Sequence, residues 1–128
     1  VKQLIMLLNA LPIPKNNKYT GKFIKSIDNI LKSGKTVHFY PEGFLNPYDK
    51  NIRPFKKGAF KFAARNNVPI VPCVFTYTNP TGFRKYIKKK PFITLTVLDP
   101  VYPNINLPKW ECIEDLKSRV FEKMENFE

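Results

Sequence analysis

The order of apolar and polar residues alternates between helical and extended spacing along the first half of the chain. Apolar residues at positions 23–31 recur at helical spacing, which predicts a helix, and Gly34 is placed to end it. Positions 36–40 alternate in the manner of a strand. Positions 46–54 are rich in turn formers and predict a loop, and positions 58–65 predict a short helix.

The second half begins with an uninterrupted apolar run at positions 68–77, which is typical of a strand buried on both faces of a parallel sheet. The prolines in that run predict a bulge or a strand edge. A second strand, rich in β-branched residues, is predicted at positions 92–98. The last predicted element is a helix with one apolar stripe, made of Trp110, Ile113, Leu116, Val120, Phe121, Met124 and Phe127. Strands separated by helices predict a single α/β domain over residues 1–128, with a mainly parallel sheet and flanking helices.

The composition is that of a folded domain without a metal-binding pattern. Hydrophobic residues make up 43% and aromatic residues 14% of the 128 residues, which is enough to form a core. No apolar stretch approaches the ~18 residues of a membrane span. The two cysteines, Cys73 and Cys112, are far apart and match no metal-ligand spacing, so no metal site is expected.

A strong positive charge narrows the classes of partner. Lys and Arg number 22 against 10 Asp and Glu, which gives a net charge of +12. This surplus favours anionic lipid headgroups, phosphorylated substrates or nucleic acid. One basic cluster is interleaved with aromatic residues and is predicted to face an anionic membrane surface: Arg84, Lys85, Lys88, Lys89 and Lys90. A nucleic-acid-binding module is the alternative, but no helix-turn-helix, RNP-type or zinc pattern supports it, and no nucleic-acid partner is expected.

A lone carboxylate on a turn is the candidate ligand site. The stretch Tyr40-Pro41-Glu42-Gly43 follows a predicted strand, and ligands of open α/β sheets collect outside the carboxyl ends of the strands. Gly43 permits a close backbone approach, and a helix start at Gly58 offers N–H groups to an anion. These features and the nearby cations suit a phosphorylated substrate that carries a hydroxyl group. Alternatively, Glu42 only holds the loop, through a helix cap or an ion pair.

Three segments in this order carry a family resemblance: YPEG at positions 40–43, FKKGAFKFA at positions 55–63 and VPIVP at positions 68–72. Together with LPIPK at positions 11–15, they resemble the ordered sequence blocks of the glycerophospholipid acyltransferases, specifically the lysophosphatidic acid acyltransferases. The resemblance covers most of the chain. It implies a glycerol-3-phosphate acyltransferase-like α/β fold.

The resemblance also implies a reaction. A fatty acyl group would pass from acyl-CoA or acyl-carrier protein to the free hydroxyl of a lysophospholipid in phospholipid synthesis, and no cofactor is needed. The expected partners are therefore a lysophospholipid acceptor, an acyl donor and an anionic membrane surface. The protein is expected to be peripheral, on the cytoplasmic face of the membrane. The sequence leaves the oligomeric state open.

The residues that match the family's blocks give the expected acceptor site. The segment at positions 11–15 implies that Lys15 contacts phosphate, and YPEG implies that Glu42 and Gly43 form the wall of the site. Phe44-Leu45 stand where the family has Thr-Arg, so a phosphate-binding arginine is missing from its usual place. The residues expected to replace it come from the following loop: Arg53, Lys56 or Lys57.

The family's first block, His-x-x-x-x-Asp, supplies the general base, and this sequence contains no such block. His38 is the single histidine, and Gly43 stands five residues after it in the place of the Asp. We therefore predict that no catalytic residue lies in this chain and that the chain alone is inactive. It is expected to be the C-terminal portion of a longer domain, with the N-terminal part missing. A lipid-binding fragment without catalysis is the remaining alternative.

Overall fold

A computed structural model describes residues 11, 13–14, 20–43, 52–79, 81–82 and 91–127 of the chain. The chain divides into two compact units, Val1–Phe39 and Tyr40–Glu128. The described elements are α1 (Thr20–Lys32) in the first unit and, in the second, α2 (Gly58–Asn66), β1 (Cys73–Thr78), β2 (Phe92–Val97) and α3 (Lys109–Glu125). No described helix is both long and apolar enough to cross a bilayer.

Helix α1 forms where the apolar spacing predicts it and ends at the predicted glycine. Ile27 on its apolar face is fully buried. Gly34 adopts a φ of +76°, the left-handed conformation that a glycine enters without strain. Its N–H donates to Leu31 O at 3.1 Å, and the N–H of Lys35 donates to Ile30 O at 3.3 Å. This pair of bonds is a Schellman motif, which satisfies carbonyls left open at the end of the helix.

The strand predicted at positions 36–40 does not form. This segment is extended but belongs to no strand of the part of the chain that the structure describes. Alternation of apolar residues describes only the two faces of a segment. A strand also needs a neighbouring backbone with which it can exchange hydrogen bonds, and positions 36–40 have no such ladder with the described residues.

Helices α2 and α3 pack together and form the core of the second unit. The buried apolar residues of this core are Phe55, Phe60, Ala63, Val101, Ile113, Leu116 and Val120. Ile113, Leu116 and Val120 follow the predicted stripe of α3. Trp110, which the same stripe included, is 68% exposed. It lies in the first turn of α3, and the first buried residue of the helix is Cys112.

The two described strands pair antiparallel, which corrects the expectation of a mainly parallel sheet for this part of the chain. Cys73 lies opposite Val97 and Thr78 lies opposite Phe92. The connection between the strands therefore begins and ends at the same end of the pair, as in a hairpin, and β2 runs back along β1. An apolar run indicates how much of a strand can be buried, but it does not indicate the direction of the neighbouring strand.

The register shifts by one residue just before β1, but the extra residue does not lie in the proline-containing run for which the bulge was predicted. The isolated bridge between Ile70 and Val101 is also antiparallel, but two residues lie between Ile70 and Cys73 and three lie between Val97 and Val101. The carbonyl of Pro72 accepts the N–H of Leu98 at 2.9 Å, which keeps the register of β1 and β2. The extra residue therefore lies on the β2 side, between Leu98 and Val101. Proline has no N–H to give to a ladder, so the regular pairing starts only after it.

One face of the β1–β2 hairpin is apolar and exposed. Side chains that alternate along the two strands share this face: Phe75, Tyr77, Ile93, Leu95 and Val97. Their exposed fractions lie between 45% and 62%. The expectation that the strand at positions 68–77 is buried on both faces is therefore wrong for the described residues. We refer to these five residues below as the hairpin face.

Candidate functional site

The Glu42 stretch forms a tight turn. The N–H of Gly43 donates to Tyr40 O at 3.1 Å, and Pro41 occupies the first central position, where its fixed φ suits a β-turn. Gly43 has a φ of +88°, a conformation that a side chain at this position would strain. The backbone therefore requires glycine here.

Two hydrogen bonds join this turn to the segment that leads into α2. Glu42 Oε2 accepts the backbone N–H of Arg53 at 3.1 Å. The carbonyl of Pro41 accepts the backbone N–H of Lys56 at 2.8 Å. Positions 44–51, which connect the turn to this segment and include Phe44 and Leu45, lie outside the described residues. We call these two hydrogen bonds the loop base.

The loop base shows how Glu42 holds the loop. No side chain caps α2, whose N-cap residue is Lys57. Glu42 does hold the loop, but through a hydrogen bond from a backbone N–H and not as a helix cap. A carboxylate that accepts one N–H keeps further lone pairs available to a second donor. Holding the loop and contacting a substrate hydroxyl are therefore compatible.

The side chain of Lys56 lies across Gly43. A Cβ built on Gly43 would coincide with the space of the Lys56 ammonium, 2.6 Å from Cε and 3.1 Å from Cδ. The glycine thus contributes room as well as its positive φ, because any larger residue would displace the lysine. Lys56 is exposed, so its ammonium stands at the turn in contact with solvent. The turn presents a carboxylate and an ammonium from Glu42 and Lys56.

Lys57 has a different partner. Its ammonium forms an ion pair with Glu114 of α3, and Lys117 Nζ lies 3.3 Å from the other oxygen of the same carboxylate. Hydrogen bonding from Lys57 lowers the pKa of Glu114; desolvation opposes this shift and Lys117 adds to it. Lys57 therefore connects the start of α2 to α3.

The structure brings together part of the predicted site. Glu42, Gly43, Lys56 and the backbone N–H of Arg53 meet at the loop base. Lys15 and the basic cluster at positions 84–90 lie outside the described residues, so their predicted roles stay predictions. His38 is exposed, in the first unit. No group of acidic, His and Cys residues suited to a metal occurs among the residues described.

The sequence did not indicate the contact between Gly43 and Lys56 or the bond between Glu42 and Arg53. The partners are separated by the loop, and no periodicity relates positions on its two sides. The Pro-Glu-Gly turn was the available signal, since a glycine with positive φ often marks a close approach.

The second unit contains two helices that pack together, a two-stranded sheet and a polar turn ahead of one helix, and it is a domain of mixed α and β structure. A comparison with family models gives the family. Residues 1–76 match the model described as Acyltransferase, and the chain belongs to the acyltransferase family. The matched segment includes the Glu42 turn and α2.

Curated relatives share this assignment over parts of their length. Acl-1 of Caenorhabditis elegans is 33% identical over 101 residues, which cover 76% of this chain and 37% of acl-1. The chloroplastic 1-acyl-sn-glycerol-3-phosphate acyltransferase BAT2 of Brassica napus is 42% identical over 62 residues, 46% of this chain and 18% of BAT2. The 1-acyl-sn-glycerol-3-phosphate acyltransferase of Escherichia coli is 33% identical over 86 residues, 65% of this chain and 35% of the relative. The chain thus spans little more than a third of these proteins at most. No solved structure matches the chain.

Proposed function

We propose that the protein carrying this chain transfers a fatty acyl group from a thioester donor to the free hydroxyl of a 1-acyl-glycerol-3-phosphate-like lysophospholipid. The family supports acyl transfer, and the names of the relatives support this acceptor class. The observation that carries the proposal is the turn itself, where Glu42 and Lys56 present opposite charges beside a glycine. This pairing suits an acceptor that has both a hydroxyl group and a phosphate.

In the proposed reaction, the acceptor oxygen forms an ester bond with the donor carbonyl while the thioester carbon–sulfur bond breaks. The hydroxyl proton goes to a general base, and the thiol of CoA or acyl-carrier protein leaves with a proton. The expected base is a His-x-x-x-x-Asp block outside this chain, so residues 1–128 alone supply the acceptor side and do not catalyse. No cofactor takes part.

The remaining predicted residues fit the same proposal. Lys15 contacts the acceptor phosphate from the segment at positions 11–15. The basic cluster Arg84, Lys85, Lys88, Lys89 and Lys90 faces the anionic cytoplasmic surface of a membrane, where each cation is worth roughly 1 kcal/mol. The net charge of +12 supports a peripheral attachment of this kind.

Replacing Glu42 tests the proposal. In the longest natural protein that contains this chain, Glu42→Ala is expected to lower the rate of phosphatidate formation from lysophosphatidate and acyl-CoA by about 100-fold or more, because a misplaced acceptor loses its reactive geometry. The control is Glu122→Ala, which removes an exposed carboxylate from α3 and should leave the rate unchanged. A folded Glu42→Ala protein with full activity would exclude Glu42 from the site. A wild-type protein that does not acylate lysophosphatidate would exclude the proposed function.

A further inference from the structure

The ammonium of Lys56 lies beside the Glu42 turn, where an acceptor phosphate could contact it. The backbone of Lys56 is fixed by the bond from its N–H to Pro41 O, and its side chain crosses Gly43. We infer that Lys56 is the residue that selects a phosphate-bearing acceptor, by contact of its ammonium with the phosphate. This inference rests on the proposed function, because it names the group that distinguishes one acceptor from another at the same site.

The neighbouring cations differ from Lys56 in what they contact. Lys57 follows it directly but forms an ion pair with Glu114, which directs its ammonium to α3. Arg53 contributes its backbone N–H to the loop base. No ion pair between Lys56 and a carboxylate is found within the described ranges. Lys56 can therefore bind an anion without first breaking an ion pair there.

The chemistry of the turn favours this selection. An ammonium carries three donors and a compact charge, and it binds phosphate through charge-assisted hydrogen bonds. The Glu42 carboxylate, which would repel a phosphate, accepts the N–H of Arg53. Gly43 leaves the space that the lysine side chain occupies. A neutral monoacylglycerol has no group that could use the ammonium, so Lys56 favours the phosphorylated acceptor.

Kinetics of variants in the longest natural protein that contains this chain test the inference. The variants are Lys56→Met, which removes the charge, Lys56→Arg, which keeps it, and Lys61→Met as a matched control. Lys61 is an exposed lysine of α2. The acceptors are 1-hexanoyl-glycerol-3-phosphate and 1-hexanoylglycerol, which differ only in the phosphate. Thermal unfolding confirms that each variant is folded.

For Lys56→Met we expect the KM for 1-hexanoyl-glycerol-3-phosphate to rise about tenfold or more, with kcat changed by less than about threefold. Turnover of 1-hexanoylglycerol should not change. Lys56→Arg should keep most of the affinity, and Lys61→Met should behave as wild type. Inorganic phosphate, which should compete with the acceptor in the wild type, should inhibit Lys56→Met about tenfold more weakly.

The alternative outcomes separate the two proposals. An unchanged KM for the phosphorylated acceptor in Lys56→Met overturns the assignment of Lys56 and leaves the acyltransferase function standing. A rise in the KM for acyl-CoA instead also overturns it, because the ammonium would then contact the phosphates of the donor. Equal losses in Lys56→Met and Lys61→Met would mean that only the general charge matters. A wild type inactive on 1-hexanoyl-glycerol-3-phosphate overturns both proposals.

Discussion

The α2–α3 pair and the β1–β2 hairpin are both rich in apolar residues, but they bury them to very different extents. Phe60 of α2 and Leu116 and Val120 of α3 are almost completely buried. The hairpin face keeps about half of each of its large side chains exposed. The helices cover each other's apolar stripes, whereas no described element of the second unit packs over the hairpin face. The apolar composition of a surface therefore shows only that it can be buried. Whether it is buried depends on a second element that packs against it.

The largest expected effect comes from comparing one leucine of each region. Leu116→Ala removes a fully buried side chain from α3 and should lower the free energy of unfolding by about 2–5 kcal/mol. Leu95→Ala, at a side chain that is 52% exposed on the hairpin face, should cost about 1 kcal/mol or less. Urea denaturation of both variants measures the difference. Equal losses would show that the hairpin face is covered in solution.

A smaller effect on stability, but a clear one on surface properties, is expected when the hairpin face is made polar. The double variant Ile93→Thr/Leu95→Thr places β-branched threonines, which favour strands, at exposed positions, so the free energy of unfolding should change by about 1 kcal/mol or less. Binding of a fluorescent dye that reports exposed apolar surface should fall. The control is Thr94→Ser, a polar-to-polar change at an exposed position on the opposite face of β2, which should leave dye binding unchanged. Unaltered dye binding in the double variant would contradict the exposed face.

The smallest effect concerns the ion pair at the exposed edge of the helix pair. Lys57 lowers the pKa of Glu114 in the folded protein, so this carboxylate stabilises the fold at any pH above its ordinary pKa in the unfolded chain. The contribution should be lost as the pH falls below that ordinary value and through the lowered folded value. Chemical denaturation at several pH values, compared between wild type and Glu114→Gln, measures it. A Lys57→Met protein with the same pH dependence as wild type would show that the pair does not contribute.

The elements that the sequence predicts well are those in which a local rule decides the outcome. The helical spacing gives α1, and Gly34 ends it because its φ is positive. The prolines before β1 fit a regular pairing that begins only at Cys73. Positions 36–40 and the direction of β2 depend on a neighbouring strand, which no local pattern encodes. The sequence also indicates that YPEG and FKKGA belong to one site.

The division of roles within that site depends on the folded backbone. Lys56 and Lys57 are adjacent and chemically identical, and the sequence treats them as equivalent candidates. The backbone turns into α2 at this point, so that one side chain crosses Gly43 and the other reaches Glu114. The path of the backbone therefore makes Lys56 a candidate ligand contact and Lys57 a link between helices.

The loop base has a consequence for how such a protein can change over evolution. Its two hydrogen bonds use the Glu42 side chain and main-chain groups of Pro41, Arg53 and Lys56. Neither bond depends on the identity of a residue between positions 43 and 52. That intervening segment can accept substitutions, insertions or deletions while the start of α2 keeps its anchor. The two hydrogen bonds therefore hold the ends of this segment in place while its sequence varies. Changes of sequence there should cost little folding stability, and an exchange of this segment between relatives should join the chains at these two ends.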